Sequence, residues 1–155
     1  MEKERLPSLL SYQNENIISR FVDLFAVEEE EARDIFQETR KFLYLSQKPG
    51  VFIPDDLLII DEMWHNFILF TSEYHQFCQT YFNAYLHHIP ASKDEKIRRQ
   101  IARQTDAEKF KQTHLKRLGE LMSITYDHLG EETVVKWFRE YPEKYSVAAI
   151  KSLRK

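Results

Sequence analysis

Trp64, Phe67, Phe70, Tyr74, Phe77, Tyr81 and Tyr85 follow one another at intervals of three or four residues. That spacing lines large rings along one face of a helix. Such a face must be covered to leave water, so the segment reads as the centre of a packed helical core. The rest of the chain agrees. Three glycines and five prolines in 155 residues are too few for a turn-rich sheet protein, and the sequence predicts an all-α fold. A chain of this length builds one core without disulfides or a structural metal. We read residues 1–155 as a single helical domain, with its core at about 13–142. The expected architecture is a bundle of five or six helices with a central aromatic-rich helical hairpin.

The other apolar positions give the helices. Ile17, Ile18, Phe21, Leu24 and Phe25 predict a first helix of about three turns. Glu28 to Glu31 then precede Ala32, Ile35, Phe36, Phe42 and Leu43, which puts the glutamates at the positive end of a helix dipole. Lys48-Pro49-Gly50 marks a turn, and Asp55 after Pro54 offers a cap for the central segment. From Leu57 the pattern stays helical to Ile89, where Pro90 stops it. Residues 91–104 read as a polar, basic link or an exposed helix. A long helix from Asp106 to a terminal Gly130 and a short one from Glu131 to Arg139 follow. Trp137 and Phe138, with Tyr141 and Tyr145, are expected to dock this last helix onto the core. The final segment VAAIKSLRK reads as a short amphipathic helix or a frayed end.

Charge and cysteine usage narrow the function. A formal net charge of −3 gives no overall footprint for nucleic acid. Lys93, Lys96, Arg99 and Arg103 share a helical face, but no aromatic residue interleaves them for base stacking, so a solvated face is the preferred reading. The lone Cys78 forms no internal disulfide, which fits a reducing compartment. No apolar run approaches the roughly 18 residues of a membrane span. A soluble, cytoplasmic protein is expected, with an unknown protein or small-molecule partner.

Beside the aromatic face runs a second one: Asp61, His65, Ile68, Ser72, His75 and Cys78. Buried polar groups need partners, so this company is less ordinary. Along one unbroken helix His65 and Cys78 would lie about 20 Å apart. A break at Thr71-Ser72, where a hydroxyl could cap a second helix, folds the halves back and brings Asp61, His65 and Cys78 together, with His87 or His88 one to two turns away. Asp61 would then fix the tautomer of His65, and histidine with thiolate would suit a zinc or iron ion. Glu62-x-x-His65 has the spacing of a di-iron motif but lacks its second copy. A nucleophilic triad of Cys78, His87 and Asp61 has the residue types but no oxyanion hole. Against these stands a structural role, with Cys78 as a small apolar residue and the histidines as helix caps.

Asp61-x-x-Trp64-His65, Leu69-x-Thr71-x-x-Tyr74-x-x-Phe77-Cys78, Phe82 and His87-His88-x-Pro90 together resemble the signature of the glycine-rich-domain-containing-protein-like family, in its small bacterial members. The resemblance spans roughly residues 30–142 and carries no established reaction. It marks Asp61, Trp64, His65, Tyr74, Cys78, His87 and His88 and leaves out His75. Asn83 stands where the family's glycine is expected, and asparagine tolerates a left-handed backbone. A helix that ends there would bring His87 or His88 nearer to His65 than the hairpin count allows. Three functional readings stay open: a binding module with a metal site formed by Asp61, His65, Cys78, His87 and His88; a metal-dependent enzyme using His65 and Cys78, with Asp61 orienting and Glu62 moving protons; and a structural cluster in a protein that works through its charged faces.

Overall fold

The computed structural model describes residues 2–155. The chain is all-α, and among the described residues the one extended pairing is an isolated antiparallel bridge between Phe25 and Arg154. In order come α1 (Glu2–Leu10), α2 (Glu15–Leu24) and α3 (Glu29–Leu45); a single 3-10 turn, Asp55–Leu57, then leads into α4 (Leu58–Ile68) and α5 (Thr71–Phe82). After an irregular stretch come α6 (Lys93–Thr105), α7 (Ala107–Leu129) and α8 (Glu131–Val135). A π-helical segment, Lys136–Glu140, joins α8 to α9 (Tyr141–Lys144), and α10 (Val147–Leu153) ends the chain.

Helix α3 is the hub, packing on α1, α2, α4 and α7. Its buried residues lie all round its axis, from Ala32, Ile35 and Phe36 to Glu38, Thr39 and Arg40. Polar groups buried on such a helix have to be satisfied within the protein. Arg40 does so by donating to the carbonyls of Phe36, Leu10 and Tyr12, which ties the link between α1 and α2 to the hub. Burial lowers the pKa of this guanidinium to about 10. Asn14 caps α2 by accepting from the Asn16 N–H at 3.1 Å, and Ile17, Ile18 and Phe21 face inward as their spacing predicts.

The central segment breaks, but two residues early and without a hydroxyl cap. Phe70 holds the cap position of α5 and no side chain bonds there. Packing holds the corner instead, with Phe67 edge-on to Tyr74 at 5.0 Å and to Phe77 at 5.1 Å. Nor does Asp55 cap a helix: it opens the 3-10 turn behind Pro54. The expected helix to Ile89 ends at Phe82, because Asn83 takes the left-handed conformation with φ 52°. Residues 83–92 then run back irregularly until Ser92 caps α6, accepting from the Glu95 N–H.

The basic stretch is the exposed helix α6, with no buried residue, and α7 buries only Leu121 and Thr125. The C-terminal aromatic residues dock as expected, with Trp137 fully buried and Tyr141 and Tyr145 nearly so. They meet polar partners on α3: Trp137 Nε1 donates to Glu38, the Tyr141 hydroxyl to Asp34 and the Tyr145 hydroxyl to Glu31. The core also takes in Leu9 and Ile150, so it reaches further towards both ends than 13–142.

Candidate metal centre

Asp61 and His65 lie one turn apart on α4 and share a face, as their spacing dictates. Asp61 Oδ2 stands 3.8 Å from His65 Nδ1. The third member arrives from the irregular segment: His88 Nε2 lies 2.8 Å from Asp61 Oδ1. The three candidate ligand atoms all fall within 4.8 Å of one another. Exposure is graded across the cluster, from 11% for the His88 side chain through 20% for Asp61 to 52% for His65. The site therefore opens to solvent on the His65 side and is closed behind His88.

A frame of buried residues puts His88 there. The Trp64 indole stacks on the His88 ring at 4.1 Å and 21°. Trp64 Nε1 donates to the Tyr74 hydroxyl at 3.0 Å, and that hydroxyl donates to the Leu86 carbonyl. Tyr74 thus straps the segment after α5 onto α4, two residues before His88. Burial pushes the Tyr74 phenol far above its ordinary value, so the hydroxyl remains a donor.

Of the residues expected from the sequence, Asp61, His65 and His88 come together. Cys78 does not join them. It is fully buried under the strap, where burial raises its thiol pKa against the opposing pull of the Leu86 backbone and the Tyr74 hydroxyl. Both neighbours belong to the frame, so Cys78 packs where a larger side chain would displace the strap. His87 points the other way, with its ring 4.7 Å from that of Tyr85. Glu62 turns from the cluster to Arg154 at 2.5 Å. Trp64 and Tyr74 position the site without offering ligand atoms to it.

On the far side of His65 lies a cleft of about 360 Å³ that the sequence reading did not foresee. Arg20, Glu62, Asn66, Arg154 and Lys155 line it together with His65, Leu24, Phe25 and Leu69. These residues come from three distant parts of the chain, and no local spacing signals their meeting.

A family model described as UCP032817-like matches residues 8–141. No curated protein and no solved structure matches the chain.

Proposed function

This chain belongs to the UCP032817-like family, and we propose that it is a helical binding protein that holds one zinc or iron(II) ion on Asp61, His65 and His88. The convergence of two imidazoles and a carboxylate on one open edge carries the reading. The donor set suits both metals: zinc takes histidine nitrogen and carboxylate oxygen, and two histidines with one carboxylate are the set of non-haem iron(II) sites. The spacing is compatible as well. Tetrahedral ligation at zinc places ligand atoms about 3.3 Å apart, and the separations of 2.8 and 3.8 Å from Asp61 bracket that value.

Each residue has a task in this reading. Asp61 faces one nitrogen of each imidazole, and an ion would sit among these three groups. An ion held there would need both imidazole nitrogens and the carboxylate free of protons, so its retention should weaken in acid. Trp64 holds the His88 ring in plane, and Tyr74 fixes the backbone that carries it. Three protein ligands leave a position open, as in sites that engage a further molecule rather than staple a fold. An ion there supplies a Lewis acid. The cleft beside His65 favours a second reading on the same residues, a metal-dependent enzyme, with a small molecule as its partner.

Elemental analysis of protein purified without chelators, then reconstituted with zinc or iron(II), tests the proposal. The parent should hold about one ion per chain. His88→Ala and Asp61→Asn should lose it, and Cys78→Ala should keep it. An empty parent after reconstitution, or full retention in His88→Ala, would overturn the assignment.

A further inference from the structure

The cleft beyond His65 combines charge and apolar surface in a way the protein as a whole does not. Its lining carries three cationic side chains, Arg20, Arg154 and Lys155, against the single carboxylate of Glu62, on a chain whose formal net charge is −3. Both guanidinium groups are held in place. Arg20 Nη1 donates to Asn66 Oδ1 at 2.7 Å, and Asn66 is itself fixed by donating to the Ile17 carbonyl at 2.9 Å. Arg154 Nη2 donates to Glu62, and its backbone is pinned by the bridge to Phe25 and by the Lys155 N–H on the Leu24 carbonyl. A guanidinium has five N–H donors, so each arginine keeps donors for a ligand. The lining also has an apolar, wet part: Leu69 is 62% exposed and Leu24 38%.

We propose that this cleft binds a small organic carboxylate, its charged end held by Arg20, Arg154 and Lys155 and its aliphatic body laid on Leu24, Phe25 and Leu69. Guanidinium forks match a carboxylate in geometry, and fixed forks lose little freedom on binding. Free phosphate has the charge but nothing to cover the apolar wall. The volume, about 360 Å³, lies in the range of small-molecule sites. Because His65 borders both the cleft and the candidate metal centre, an ion there would lie beside the bound molecule; this last step rests on the metal reading, whereas the cleft itself does not.

The test is an NMR titration of isotope-labelled, metal-free protein with butyrate and, separately, inorganic phosphate. Butyrate should shift the Asn66 side-chain amide and the Leu69 backbone and saturate, and phosphate should not. Arg154→Ala combined with Lys155→Ala should weaken butyrate about tenfold or more, the loss expected for charged hydrogen bonds. Lys155→Glu alone, at an exposed position, should weaken it in the same direction if the double variant fails to fold. Lack of saturation, unchanged affinity in these variants, or phosphate binding as tight as butyrate would overturn the assignment. Asp61→Asn, which lies outside the cleft, should keep metal-free butyrate binding while losing zinc, so the two readings fail separately. Zinc should tighten butyrate in the parent and not in Asp61→Asn; zinc bound without effect on butyrate would remove the link through His65.

Discussion

Two carboxylates organise this molecule, Glu38 in the hub helix and Asp61 at the edge, and their partners differ in kind. Glu38 is buried to 1% of its side chain, with Lys41 Nζ at 3.0 Å, Lys136 Nζ at 4.0 Å and the Trp137 indole N–H at 3.1 Å. Those partners come from α3 itself and from the C-terminal segment, so the cluster fastens that segment to α3. Asp61 faces two imidazoles, which can release a proton or take an ion in its place. One carboxylate is committed to the fold and the other is available. Burial alone does not mark a polar cluster as functional: the more buried of the two is the one that holds helices together.

The largest expected effect falls on the committed side. Glu38→Ala takes the carboxylate from Lys41 and from the Trp137 indole N–H, while Lys136 keeps Asp34 at 2.7 Å, and should cost about 3 to 5 kcal/mol in denaturant unfolding, as for a broken buried ion pair. Its metal content, in any fraction that folds, should match the parent. Tyr74→Phe joins the two sides, because it removes the strap on Leu86; it should cost about 1 to 3 kcal/mol and weaken metal binding about 10- to 100-fold in a chelator competition. Asp61→Asn should change stability by less than about 1 kcal/mol, since Asp61 reaches solvent, His65 is half exposed and an amide oxygen can still face His88, while abolishing metal retention. A stability loss as large as that of Glu38→Ala would break the comparison.

Two smaller effects follow from the raised acids. Tyr74, Tyr141 and Tyr145 all have phenol pKa values raised mainly by burial. The folded state therefore holds their protons more tightly, and the stability they contribute is complete below the ordinary tyrosine value of 10.0 and drains away as pH rises beyond it. Thermal melts should fall off above about pH 10 and be flat across neutral pH as far as these groups are concerned. Cys78, buried with a raised pKa, should react with a thiol reagent at pH 8 far more slowly than the unfolded chain, by a colorimetric assay. Fast labelling of the folded protein would mean that the strap opens readily.

Local signals were read well because they act locally. The i, i+4 pair Asp61 and His65, the caps at Asp106 and Gly130 and the docking of Trp137 all follow from spacing and residue type. The third member of the cluster is harder to read. Folding two straight helices back on each other carries Cys78 towards His65 by residue count, whereas the turn at Asn83 brings the segment after α5 round and places His88 there instead. Asn83 carried that information, and only the choice between His87 and His88 was beyond it, since this depends on which ring the Trp64 indole accepts. The ladder on Glu31, Asp34 and Glu38 was hidden for another reason. Its residues read as an ordinary acidic helix face until Lys136, Lys144, Tyr141 and Tyr145 arrive from about a hundred positions away.

Asn83 has one more consequence. Two of the three candidate ligand residues share a helix and are in register as soon as that helix forms, but the third rides on a ten-residue stretch, 83–92, with no repeating backbone bonds of its own. Such stretches open at lower free energy than the helices beside them. An ion bridging Asp61, His65 and His88 would stabilise the closed arrangement in proportion to its affinity, so metal supply would be written into the amide exchange of residues 83–92. Occupancy becomes a change in local order at a defined place on the surface, which another macromolecule could sense without touching the ion.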